Sequence, residues 1–126
     1  MSKLENKVEL LLYNAKIKYI REKQIKDFRN NLMRFDFYIP EQKIAIEVQG
    51  QQHYQFTRNF YHSYSEFTAA QERDRLKITY CLAHGIKLYC IPYWFVPQLQ
   101  CAAGLFKNEF VATSKFHNDT VWQQKI

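Results

Sequence analysis

Glycine and proline are scarce in this chain, three of each among 126 residues. With 47% hydrophobic residues, that scarcity argues against disorder and predicts a compact globule, one domain with one ordinary core. Cysteine is sparse too. Cys81, Cys90 and Cys101 are odd in number and form no CxxC pair, so they read as buried, reduced thiols of a cytoplasmic protein. Cys81 and His84 by themselves lack the partners that a zinc site needs. The apolar runs are far too short to cross a bilayer, and charged residues interrupt those near the start, so neither a signal peptide nor a membrane span is expected. Internal repeats and low-complexity tracts are also missing.

What the chain does have is positive charge, unevenly spread. The formal net charge is +6, and nine of the eighteen Lys and Arg lie in residues 1–34 against four acids. A basic face on a small domain suits a polyanion, nucleic acid before a membrane surface, with a merely solubilising surface as the other explanation.

The stretch Arg34–Tyr54, RFDFYIPEQKIAIEVQGQQHY, organises the rest. Phe35, Phe37 and Ile39 alternate with Arg34, Asp36 and Tyr38, the period of a half-buried strand. Pro40 and the polar residues after it make a turn, and Ile44-Ala45-Ile46-Glu47-Val48 forms a second, almost wholly apolar strand ending at Gly50. Glu47 is out of place there, because burying a carboxylate among Ile, Ala and Val costs several kcal/mol unless it is paired or bound to a metal. Asp36 intrudes on the preceding strand in the same way. Two acids on paired strands can sit side by side at one end of a sheet, as divalent cations are held for phosphodiester chemistry.

Around this hairpin the pattern predicts further elements. Ser2 and Glu5 have capping-box spacing for a first helix, with Leu4, Val8, Leu11, Leu12 and Ala15 on its buried face and its end near Lys16. Glu5 either caps this helix or looks toward the sheet. Ile17–Ile25 reads as a polar edge strand and Lys26–Asn31 as a loop. Gln51–Ser65 has aromatics without a period, an ordered loop whose rings either stack on bases or cap the core. Glu66–His84 is a helix with Phe67, Ala70, Leu76, Ile78, Tyr80 and Cys81 as core positions and Gly85 as its stop. Its run Glu72–Lys77 makes ion pairs within the helix, or presents Arg73 and Lys77 to a phosphate. Ile86–Ile91 is a strand stopped by Pro92, with Tyr93, Trp94 and Phe95 as an aromatic cap. A helix is expected from Gln98 to about Phe110, and a polar tail follows. The expected fold is α/β: a mixed four-stranded sheet flanked by helices, residues 1–96 as its core and 97–126 as a helical extension packed on the same domain.

Asp36 followed by Glu47-Val48-Gln49 resembles the D…(D/E)xK signature of the restriction-endonuclease-like (PD-(D/E)xK) nuclease superfamily. The longer strings FDFYIP, IAIEVQGQQHY, ERDRLKITYC and GIKLYCIPYW are similar to one branch of it, the very-short-patch mismatch-repair nicking endonucleases and related phage and homing (EDxHD-type) enzymes. The likeness runs over roughly residues 3 to 95. It implies a restriction-endonuclease-like core and a DNA endonuclease, a nicking or small phage-type enzyme of a bacterial or phage-infected cell.

The resemblance also assigns roles. Asp36, Glu47 and the backbone carbonyl of Val48 would hold Mg²⁺, with Mn²⁺ as a substitute, and Glu5 matches a functional acid in the first helix. His53 resembles the histidine that acts as general base or protonates the leaving 3′ oxygen. Gln49 departs from the superfamily's usual lysine; it can orient a water or a phosphate oxygen but brings no charge, and Lys77 is the substitute cation. From the distribution of charge, and not from the resemblance, Lys16, Lys18, Lys23, Arg34, Arg58 and Arg73 would meet DNA phosphates, with Tyr54 among the stacking aromatics. Cutting both strands would call for a second copy, a homodimer. The alternative is a nuclease-fold domain without activity, a nucleic-acid-binding or assembly module. Gln49 favours that alternative, whereas the retained Asp36, Glu47 and His53 oppose it.

Overall fold

The computed structural model describes residues 3–27, 30–50 and 63–112. Helix α1 (Lys3–Asn14) is followed by strands β1 (Ile20–Lys26), β2 (Leu32–Ile39) and β3 (Ile44–Gln49), helix α2 (Tyr64–Ala83) and strand β4 (Lys87–Pro92). The four strands form one α/β sheet in the order β1-β2-β3-β4. β1, β2 and β3 pair antiparallel, and β3 pairs with β4 in parallel. A parallel neighbour requires a crossover, and α2 supplies it.

Local chemistry explains the joints. Pro40 opens a single 3-10 turn between β2 and β3, which Lys43 closes at φ 54° by donating its N–H to the Pro40 carbonyl. The Ser63 hydroxyl accepts the Glu66 N–H at 3.3 Å, so α2 begins at Tyr64, two residues before the expected start. At the other end Gly85 takes φ +69°, and the Ile86 N–H reaches back to the Cys81 carbonyl at 2.9 Å. That is a Schellman-type stop, which glycine adopts at little cost.

A helix lies on each face of the sheet. Arg21 of β1 hydrogen-bonds Glu9 and Asn6 of α1 and sits 5.6 Å from the ring centre of Phe37, its partner in register. α1 therefore covers the Phe37 face. Successive side chains on a strand point to opposite faces, so Asp36 and its cross-strand neighbours turn toward α2. Phe35, Phe37, Ile46, Ile91, Val8, Leu12 and Val96 are fully buried and form the core. Each such side chain contributes about 1.5–3 kcal/mol by leaving water.

Other expectations need correction. The first helix ends at Asn14 and not near Lys16, which leaves Ala15 exposed. The first strand starts at Ile20 instead of Ile17, after Lys16 turns the chain at φ 60°. Leu76 is 41% exposed; the buried stripe of α2 is Phe67, Asp74, Ile78 and Cys81. Cys81 and Cys90 are buried as expected, but Cys101 is exposed. The helix expected over Gln98–Phe110 is a series of short 3-10 turns, 96–98, 102–106 and 108–110. Ala102 and Leu105 are both buried at the i,i+3 spacing that a 3-10 turn aligns. At Gly104 an added Cβ would come within 2.7 Å of the Leu99 side chain. Leu105 and Phe110 belong to the same core, and Val111 bridges to Tyr89 on β4. Among the described residues, no helix is long and apolar enough to cross a membrane.

Candidate active site

β2 and β3 part company at the two acids. Their last antiparallel pair is Phe37 with Ile46, so Asp36 and Glu47 stand opposite one another one step further on, where the ladder stops. The fork leaves backbone donors that the strands no longer satisfy, and the carboxylates take them. Asp36 N–H donates to Glu47 Oε2 at 3.1 Å, and Val48 N–H donates to Asp36 Oδ2 at 2.7 Å. Both acids are more than nine-tenths buried. Burial, and then the charge of Glu47, push Asp36 up to about 7, although the Val48 N–H pulls the other way.

Lys77 reaches this fork from α2 and forms an ion pair with Glu47 Oε1. Burial alone would lower the lysine pKa; the facing Glu47, with Asp74 and Asp36 beyond it, outweighs burial and raises it. The ammonium is therefore held charged. It also lies 5.7 Å from the ring centre of Phe35. Gln49 is buried beside them, and its Oε1 has no hydrogen-bond partner among the described residues. Burial drives the Cys81 thiol up to about 12 and the Cys90 thiol well above its usual value, so both stay protonated.

Asp74 is the site residue that sequence reasoning missed. It is 8% exposed on α2 and lines the same small hollow as Glu47, Gln49, Lys77 and Cys90. The signal was available: seven residues after Phe67 and four before Ile78, Asp74 falls on the apolar stripe of the helix. Its place in the charged run Glu72–Lys77 masks that signal.

The acids form the floor of a cleft of about 560 Å³, bordered by Arg34 from β2, Arg73 from α2 and Glu5 from α1. Arg34 has Glu22 at 3.8 Å as a half-exposed partner. Lys16 and Lys18 lie elsewhere, on a separate hollow with Tyr13 and Ile17, and Lys18 is 4.0 Å from Glu41. Lys23 sits in β1 opposite Phe35 and does not border the cleft. The structure thus does not gather these three lysines with the acids. His53, Tyr54 and Arg58 fall outside the described residues.

Among the described residues, no group of three or more His, Cys, Asp or Glu side chains is arranged to hold a metal ion. The donor chemistry nevertheless suits a hard divalent cation. Two carboxylates are oxygen donors of the kind Mg²⁺ and Mn²⁺ take, the Gln49 oxygen, without a partner among the described residues, can accept from a water on such an ion, and the mutual repulsion of the acids is what a cation relieves.

No protein-family model matches the chain, and no solved structure matches it. A stretch of 61 residues is 34% identical to the uncharacterized protein 307L of Invertebrate iridescent virus 6. The match covers 48% of this chain and 31% of the viral protein, so the chain spans about a third of that relative's length.

Proposed function

We propose that this chain is a metal-dependent DNA endonuclease with a restriction-endonuclease-like core, similar to the mismatch-nicking and phage enzymes its sequence resembles. One observation carries the reading: two buried carboxylates face each other in an opened strand pair, with a lysine on one of them, at the floor of an arginine-bordered cleft. The α/β order of helix, three strands, helix and strand around one mixed sheet is compatible with that reading.

Asp36, Glu47 and the Val48 carbonyl would hold Mg²⁺. When bound there, such an ion supplies an activated water and neutralises charge on the scissile phosphate. Arg34 and Arg73 hold the flanking phosphates, and Lys77 offers the cation that Gln49 does not. Gln49 directs its amide to a water or a phosphate oxygen. His53 exchanges a proton with the attacking water or the leaving 3′ oxygen.

A second reading, an inactive nucleic-acid-binding module, is favoured by one feature: both oxygens of Glu47 already have donors. Incubation with supercoiled plasmid and labelled duplex in Mg²⁺ separates the two. Nicked or linear product from the wild-type chain, absent for Asp36→Ala, supports the endonuclease. Binding by the wild type without product supports the module.

A further inference from the structure

Three donors hold the carboxylates at the fork, and they differ in how freely they can leave. Glu47 Oε2 accepts the Asp36 N–H, and Asp36 Oδ2 accepts the Val48 N–H. Neither backbone group can withdraw without reshaping the strands. The third donor, the Lys77 ammonium on Glu47 Oε1, ends a flexible four-carbon stem. A divalent cation seated against Glu47 would lie within a few ångströms of that ammonium, and like charges at such range in a partly buried site repel strongly. Lys77 is the group that must yield.

A destination is built into the same helix. Asp74 lies one turn before Lys77, buried, and favours the lysine's charge; residues three apart on a helix are neighbours. The Phe35 ring flanks the ammonium.

We infer that Lys77 and a divalent cation compete for Glu47, and that Asp74 receives the lysine when the cation wins. This rests on the reading of Asp36 and Glu47 as the metal seat. Lys77 is then the resident counter-ion of the seat and, once displaced, faces the cleft that would hold the phosphate. Asp74 is a positioning residue that acts through Lys77.

Titration calorimetry of the 126-residue chain with MnCl₂ tests this without any cleavage readout. Lys77→Met should bind Mn²⁺ about tenfold tighter or more, since the competing charge is gone. Unchanged or weaker binding by the folded variant overturns the inference. If Lys77→Met fails to fold, Lys77→Arg decides: a guanidinium grips a carboxylate bidentately, so Mn²⁺ should bind more weakly than to wild type, and equal or tighter binding overturns the inference. Asp74→Asn should weaken Mn²⁺ binding several-fold in the wild-type background and leave it unchanged in Lys77→Met, a coupling read by the double-mutant cycle. An equal loss in both backgrounds would make Asp74 a ligand and overturn its assigned part. Wild-type cleavage in Mg²⁺ with no tightening in Lys77→Met sinks this inference alone; a wild-type chain that binds no Mn²⁺ sinks the nuclease reading as well.

Discussion

Asp36 and Glu47 close each other's strand: the Glu47 carboxylate accepts the Asp36 N–H at 3.1 Å, and Asp36 accepts the N–H of Val48, the residue after Glu47, at 2.7 Å. The same two side chains that would seat a metal also finish the sheet where it splits, so their substitutions have two separable consequences.

Glu47→Ala should abolish Mg²⁺-dependent cleavage and also destabilise the fold. It leaves Lys77 and a backbone donor without their acceptor. Because Lys77 is partly exposed and keeps other acids nearby, the loss should fall at the lower end of the roughly 3–5 kcal/mol seen for broken buried pairs. Asp36→Asn retains an oxygen for the Val48 N–H and should cost far less stability while still removing cleavage. Urea unfolding beside a plasmid assay checks both. Full cleavage by either variant would remove the pair from the chemistry.

The raised pKa of Asp36 gives a pH signature. A carboxyl whose folded pKa lies near 7 holds a proton in the native state that the unfolded chain has already released. Its stabilising contribution is complete below about pH 4 and is lost as pH rises through about 7. The thermal midpoint of the metal-free protein should therefore fall across that window relative to Asp36→Asn, which has no such proton. Parallel midpoint-versus-pH curves for the two proteins would refute this assignment.

These features were unevenly legible in the sequence. The period-2 run through Phe35, Phe37 and Ile39 and the turn at Pro40 specified the hairpin, and the acids at 36 and 47 were visible because they broke its apolar pattern. Gly85 marked the end of α2 through a requirement for positive φ that few other residues meet. After Pro97 the spacing of three from Leu99 to Ala102 to Leu105 suits an α-helix face as well as a 3-10 turn, and only packing against β4 shows that 3-10 turns satisfy it. Asp74 was hidden by its neighbours: a charged run predicts a solvated face, and its burial depends on Glu47, Gln49 and Lys77 meeting it where α2 packs on the sheet. The lysines of the N-terminal third stand out by number, but a count of charges does not say which of them share a cleft.

Placement of the cations yields a contrast. Replacing Arg34 and Arg73 with Gln should weaken DNA binding and lower the salt slope by about one unit for each phosphate no longer neutralised. Replacing Lys16 and Lys18 should change the slope less, because they border a different hollow. Fluorescence anisotropy across a salt series measures both, and the reverse ranking would place the DNA on the other face.

Gln49 and Lys77 should be exchangeable as sources of charge only if one cation is present at a time. Both line one small hollow, so Gln49→Lys alone sets two ammonium groups together and should lower the thermal midpoint. Lys77→Met alone should slow single-turnover cleavage by removing charge beside the phosphate. The double variant should recover stability over Gln49→Lys and rate over Lys77→Met. A double variant no better than either single one would show that the two positions do not serve the same charge.

That Asp36 and Glu47 seat a divalent cation is tested most directly by a crystal grown in Mn²⁺ and its anomalous difference map. The expected result is a peak within coordination distance of an oxygen from each acid, with the Lys77 ammonium withdrawn from Glu47. A map with no peak at the fork, and Lys77 still on Glu47 at saturating Mn²⁺, would contradict it.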